Sequence, residues 1–338
     1  MNIFIIPTTI SVVALVAVYW WGGMGALLLA LLVSALEITL SFDNAVVNAK
    51  VLGKMDAVWQ KRFLTWGILF AVFGTRLVLP AIIVGFAAWI SPLAAILLAV
   101  NEPGQYALLL EEAAPVISSF GGAFLLMVSL KYFFDVGKDI HWIAGVEKRL
   151  ARWGRIEAIE LALAISTVLG LSYFAHEAQG SVLAAGCVGI ILFIVIQGIA
   201  NAFQTEDTKH SGKGVGKAIA TTGFALFAYL NVLDAAFSLD GVIGAFALTT
   251  AIPIIFAGLG IGAFFVRTIT VFLVQKKTLD TLVYLEHGAH WAILGLALSM
   301  LASLMIHIPE AITGLIGLVF VTLAYVSSVR EKKRSQGV

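Results

Sequence analysis

Residues 37–44 read Glu37-Ile38-Thr39-Leu40-Ser41-Phe42-Asp43-Asn44, and residues 234–241 read Asp234-Ala235-Ala236-Phe237-Ser238-Leu239-Asp240-Gly241. Each stretch is an acid followed by serine four residues on and aspartate six residues on. Each lies inside a long apolar run, and each is followed in the next run by an arginine, Arg76 or Arg267. A charged group at the bilayer centre costs about 2.5–3.5 kcal/mol on insertion scales. These six groups must therefore face a protein interior, find partners or bind something. The order acid, Ser, Asp, Arg occurs twice, which marks an internal repeat.

The rest of the chain supplies the bilayer. Of 338 residues 60% are hydrophobic and 12% charged, against about 25% charged in soluble domains. Such a chain cannot cover a water-facing surface, and a net charge of +1 offers no field for nucleic acid. About ten runs long enough to span lie near 3–21, 25–49, 64–90, 114–134, 158–175, 181–202, 217–247, 252–274, 284–306 and 309–328. No Lys or Arg precedes the first run, so it reads as a retained span rather than a cleaved leader. The expected fold is an all-α polytopic membrane protein forming one transmembrane domain over residues 1–338.

The cations test this map. Nineteen of the 21 Lys and Arg follow even-numbered runs: Lys50 to Arg62, Lys131 to Arg155, Lys209 to Lys217, Lys276 and Lys277, and Arg330 to Arg334. The odd-numbered loops carry Glu102, Glu111, Glu112, Glu177 and Glu310 instead. The positive-inside rule places both termini in the cytoplasm of an inner membrane. Runs two and seven are five apart and cross in opposite directions. That is an inverted repeat, copy one over about 25–135 and copy two over about 217–306. Such repeats place a substrate site near the midplane, between broken helices.

Three segments stand outside this pattern. The apolar stretch 91–100, bracketed by Pro92 and Pro103, reads as a re-entrant piece or an extension of run three. Residues 139–155 put Trp142, Val146, Leu150 and Trp153 near one helical face, interleaved with Lys148, Arg149, Arg152 and Arg155. They form either an amphipathic helix on the cytoplasmic leaflet or a solvated connector. Cys187, the one cysteine, packs as a small residue.

At 100° per residue, Glu37, Ser41, Asn44 and Asn48 share one helix face, and Asp234, Ser238 and Gly241 share another. Asp43 and Asp240 fall about 120° away. Either the helices unwind at the motifs, most readily at Gly241, or one acid of each motif binds an ion while the other pairs with arginine. In a third reading, all the charges form ion pairs that lock the helices together. Carboxylate, carboxamide and hydroxyl groups are hard oxygen ligands, suited to Mg, Ca or Mn rather than Zn or Cu(I). The expected metal ligands are Glu37, Asp43, Asn44, Asp234 and Asp240. Arg76 and Arg267 neutralise charge, and Ser41, Ser238 and Lys131 are secondary. His287 and His290 read as hydrogen-bonded groups at the membrane edge rather than ligands.

With these residues in view, the chain resembles the TerC family, named for tellurium resistance, within the lysine-exporter superfamily. The resemblance rests on Glu37, Asp43 and Asn44, on Arg76, and on Gly121-Gly122 with Leu125, Leu126 and Lys131. It continues through Asp234 to Asp240 and Arg267, and covers roughly residues 30–135 and 220–305. Gly241 departs from the family's usual serine, and no lysine occurs at 295–300. The resemblance implies metal-ion efflux, with manganese as substrate. Alternatives are export of a small organic solute held by the arginines, or a non-transporting scaffold. No nucleophile–base pair is evident, so the expectation is a transporter, not an enzyme.

Overall fold

A computed structural model describes residues 3–207, 215–306 and 308–335. Lys209 and Lys213 lie outside the described residues, as do the side chains of Lys217, Glu177 and Glu310. The helices are α1 (Ile5–Leu40), α2 (Phe42–Leu52), α3 (Ala57–Leu69), α4 (Leu79–Ala87), α5 (Pro92–Asn101), α6 (Pro103–Phe133), α7 (Ala144–Trp153), α8 (Ile159–Ser172), α9 (Gln179–Asp207), α10 (Val215–Leu248), α11 (Ile252–Gln275), α12 (Thr278–Thr281), α13 (Leu285–Ala302) and α14 (Glu310–Ser335). No strand occurs among the described residues. A π-helical segment, Phe70–Val78, joins α3 to α4.

Eight helical segments are long and apolar enough to cross a membrane. The protein is a polytopic all-α membrane protein. Two features connect these eight to the ten runs of the sequence. The first is the kink in α1 at Gly23, whose φ of 71° is left-handed and natural only to glycine. Before the kink Phe4 meets Phe272 of α11, and Val18 packs with Ile254. After it Val33 lies against Gly258 and Glu37 against Gly262. As the chain number rises, the first limb moves down α11 and the second moves back up. α1 is thus two antiparallel crossings, the second continued by α2. The second feature is α13. Its opening Leu285-Glu-His-Gly-Ala-His-Trp291 lowers its apolarity, but the helix is packed inside the bundle between α6 and α14.

The stretch 91–100 folds back. Trp89, at φ 56°, reverses the chain, and α5 packs Ala95 and Ala99 against Ala81 and Val84 of α4 and Tyr106 and Leu110 of α6. It is a re-entrant piece, not an extension of run three. Trp20, Trp21, Trp89 and Tyr173 are all exposed and end the first, third and fifth runs. By alternation these ends share one side, as an aromatic interface belt does. α6, α10 and α11 form the buried centre. α1, α8, α9 and α14 turn their apolar side chains outward.

Candidate functional site

The first acid of each motif is taken by its arginine. Arg76 donates through Nη2 to Glu37 Oε1. Arg267 donates through Nη2 to Asp234 Oδ2 at 2.9 Å. All four side chains are buried. The π-helical turn around Arg76 adds a residue per turn to the backbone, and such turns recur at functional sites. Arg267 Nη1 donates to the Phe63 carbonyl at 3.2 Å, and the guanidinium lies 4.2 Å from the Phe63 ring centroid. Gly67 leaves the space for it, since a Cβ there would collide with Nη1.

The two motifs face each other antiparallel. Asn44 donates through Nδ2 to Asp234 Oδ1 at 2.8 Å. At the other end of the crossing, a Cβ on Gly241 would lie 2.7 Å from Glu37 Oε2. Asn44 is seven residues past Glu37 and Gly241 is seven past Asp234, so these two contacts are equivalent by the repeat. The helices behave differently at the motifs. α1 gives way to α2 at Ser41 (φ −97°, ψ 12°), a one-residue interruption. α10 runs unbroken from Val215 through Asp240 and Gly241. The unwinding expected at Gly241 does not occur. With no side chain to accommodate, Gly241 instead lets Glu37 approach the helix.

The second acids have no arginine. Asp43 accepts one hydrogen bond, from the Asn44 backbone at 2.9 Å. Asp43 and Asp240 line one cavity of about 20 Å³ together with Ser41, Thr313 and Gly317, and Glu37 borders it. That volume admits roughly one water-sized sphere. Leu40 closes one side by packing onto Gly314. Ser41 Oγ donates to Glu37 Oε1 at 3.2 Å.

The expected ligand set therefore divides. Only Asp43 and Asp240 reach the cavity free of arginine. Glu37 and Asp234 are ion-paired, and Asn44 spends its Nδ2 on Asp234. Ser41 lines the cavity, whereas Ser238 is buried away from it with its hydroxyl unpartnered. Lys131 belongs elsewhere: its Nζ, on a half-exposed side chain, meets Glu160 Oε1 at 3.0 Å. Among the described residues no three His, Cys, Asp or Glu side chains converge as a metal cage. A formal count of four carboxylates (three buried, Asp240 partly buried) and two guanidiniums leaves two negative charges, both on the cavity wall.

A second polar knot was not foreseen. Glu147 of α7 is fully buried. It accepts from His287 Nδ1 at 2.8 Å, Trp291 Nε1 at 3.0 Å, and the backbone amides of Trp142 and Ile143. Burial alone would raise its carboxyl, but the donors from His287 and Trp291 outweigh it and hold the pKa at about 2. His290 stacks on Tyr132 with ring centroids 3.6 Å apart, and Lys138 Nζ lies 3.4 Å from the Tyr132 ring centre. α7 is thus pinned to α13 by an acid, while Val146 and Trp153 remain exposed. The sequence carried a partial signal: Glu147 stands one turn from Ile143, on a face turned away from Val146 and Trp153, and His287 and Trp291 share a face at i, i+4.

No curated protein matches the chain, and no solved structure matches it. One family model does, over residues 42–335, which includes both aspartates of the cavity and both arginines. The chain belongs to that family, described as a protein of unknown function, DUF475.

Proposed function

We propose that the protein is a secondary transporter that exports a divalent cation, with manganese as the favoured ion, through a site made by Asp43 and Asp240. One observation carries this reading: the unpaired aspartates of two opposed motifs line a single small cavity while their partner acids are held by arginine. Two formal negative charges on that wall match one divalent ion. The cavity's other oxygens, from Ser41 and Thr313, are of the hard type such ions accept. Two carboxylates rather than a full cage favour release as well as binding, which conduction requires. Arg76 and Arg267 keep the emptied site from carrying four bare charges as it reorients. The resemblance to the TerC family at these residues supports manganese and the export direction. The charge distribution supports an inner-membrane location with both termini cytoplasmic.

Export of an organic acid is the weaker reading, because its carboxylate needs a free guanidinium and both are engaged. Reconstitution tests the proposal. Vesicles containing the protein and a manganese-sensitive dye should take up the ion, and Asp43→Asn or Asp240→Asn should slow uptake about tenfold or more. Uptake at the parent rate by both variants refutes the site. Parent vesicles that move a small organic acid and no divalent cation refute the substrate.

A further inference from the structure

Asn48 is the least explained buried group in the protein. It is 1% exposed, and neither its Oδ1 nor its Nδ2 has a hydrogen-bond partner among the described residues. An unsatisfied buried amide destabilises the fold, because its lost water contacts are not replaced. Packing gives no reason to keep one, since an apolar side chain there would leave no polar atom unpaired. Asn48 lies one turn beyond Asn44 on the same face of α2, the face that meets α10 at Asp234. Asn44 Oδ1 is also without a partner.

The repeat sharpens the point. The position equivalent to Asn44 is Gly241, that equivalent to Asn48 is Ala245, and that equivalent to Asn231 is Ser34. The three asparagines all fall on one side of the Asp43–Asp240 level, because α2 and α10 run antiparallel. Glycine, alanine and serine hold the matching places on the other side. There Ser34 satisfies itself on the Ala30 carbonyl. One half of the motif pair is amide-lined and the other is not. The amide-lined half leads toward Leu52 and Lys50, the end that the positive-inside rule puts in the cytoplasm. One turn past Asn48 on α2, Leu52 joins an apolar cluster with Met55, Trp59, Phe63, Leu226 and Leu230.

We propose that Asn48, with Asn44, lines the cytoplasmic half of the cation's route, as an oxygen-donor station passed on the way to the Asp43–Asp240 cavity. The route opens when the Leu52–Leu230 cluster parts. This deepens the transport reading and rests on it for the nature of the ion. Carboxamide oxygens are ordinary ligands for hard cations. A station with no carboxylate of its own holds the ion weakly, as a transit point needs.

Cysteine accessibility tests it. Asn48→Cys is placed in a Cys187→Ser background, and inside-out and right-side-out vesicles are treated with a charged thiosulfonate. Labelling is expected from the cytoplasmic face alone, slowed by manganese, with the equivalent Ala245→Cys left unlabelled. Labelling of Asn48→Cys from the outer face, equal labelling of Ala245→Cys, or no labelling overturns the proposal. Asn48→Leu supplies a second arm. A purely structural amide predicts higher thermal stability with transport unchanged. The station predicts equal or higher stability with transport lowered about tenfold or more. If Asp43→Asn and Asp240→Asn transport like the parent, the cavity assignment fails while the labelling result still decides the route.

Discussion

The division of the four motif acids into two paired and two unpaired predicts opposite signs for the same substitution. Consider Asp234→Asn. The amide keeps the shape of the side chain and can still accept from Asn44. It no longer compensates Arg267, which is 1% exposed and left with the Phe63 carbonyl, the Phe63 ring and a long contact of 3.4 Å to Asn231. Removing one partner of a buried ion pair costs about 3–5 kcal/mol, because the other charge remains in the interior. At about 2.1 cal/mol/K of unfolding entropy per residue, a 338-residue chain loses about 4–7 °C in Tm for that cost. Glu37→Gln should behave alike through Arg76. Asp43→Asn and Asp240→Asn remove charges that have no cationic partner, so their Tm should hold or rise. Adding Arg267→Met to Asp234→Asn should recover part of the loss, with a coupling of about 2 kcal/mol or more in the cycle. Thermal unfolding of detergent-solubilised protein, followed by tryptophan fluorescence, gives all the values at once. If Asp43→Asn lowers Tm as far as Asp234→Asn does, the division into paired and unpaired acids is wrong.

Two further predictions concern packing and the polar knot around Glu147. A Cβ at Gly262 would meet Glu37 Cβ at 2.6 Å, so Gly262→Ala should cost about 1–3 kcal/mol by overpacking. Gly170→Ala, which meets nothing within 4 Å, should gain about 0.5–1 kcal/mol; the same melts show both signs. Glu147 sits at about 2 against an ordinary 4.5, so its contribution is complete above about pH 4.5 and fades as pH falls toward 2. Limited proteolysis around residues 134–143 should therefore accelerate over that interval. Glu147→Gln should be susceptible already at neutral pH and lose this pH dependence.

Much of this was legible because bilayer physics is strict about charge. The alternation of Lys and Arg marked the crossings, and the doubled acid–Ser–Asp–Arg order located the repeat. The spans near the N-terminus illustrate the limit. The runs 3–21 and 25–49 read as separate, but nothing in residues 3–40 shows that both limbs lie along α11. Glu147 was missed for a related reason. An acid within a short basic helix ordinarily faces water, and only its placement beside His287 and Trp291, 140 and 144 residues away, makes it an anchor.

The partition of the acids is the step at which sequence geometry and tertiary contact meet. Six residues at 100° each turn the second acid of a motif about 120° from the first. With α10 intact through Gly241, Asp234 and Asp240 cannot address one partner. The first acid faces the helix that carries its own repeat's arginine, and the second faces α13 and α14, which line the cavity with Ala292, Leu296, Thr313 and Gly317 and bring no Lys or Arg to its wall. The spacing therefore required a division of labour, and the neighbouring helices decided which acid took which role. The same logic explains the cavity's position. Two antiparallel copies bring their second acids to one wall only if the helices cross between the motifs, and the equivalent contacts Asn44–Asp234 and Glu37–Gly241 place the crossing there. On the proposed transport reading, a cation drawn to that wall meets two carboxylates from opposite halves of the repeat. Binding it would add a bridge to the contacts that already join the halves, Asn44 with Asp234 and Arg267 with the Phe63 carbonyl. The ion-paired acids tie each motif to its own arginine helix, while the unpaired acids leave the junction between halves as the place where the proposed ion would act.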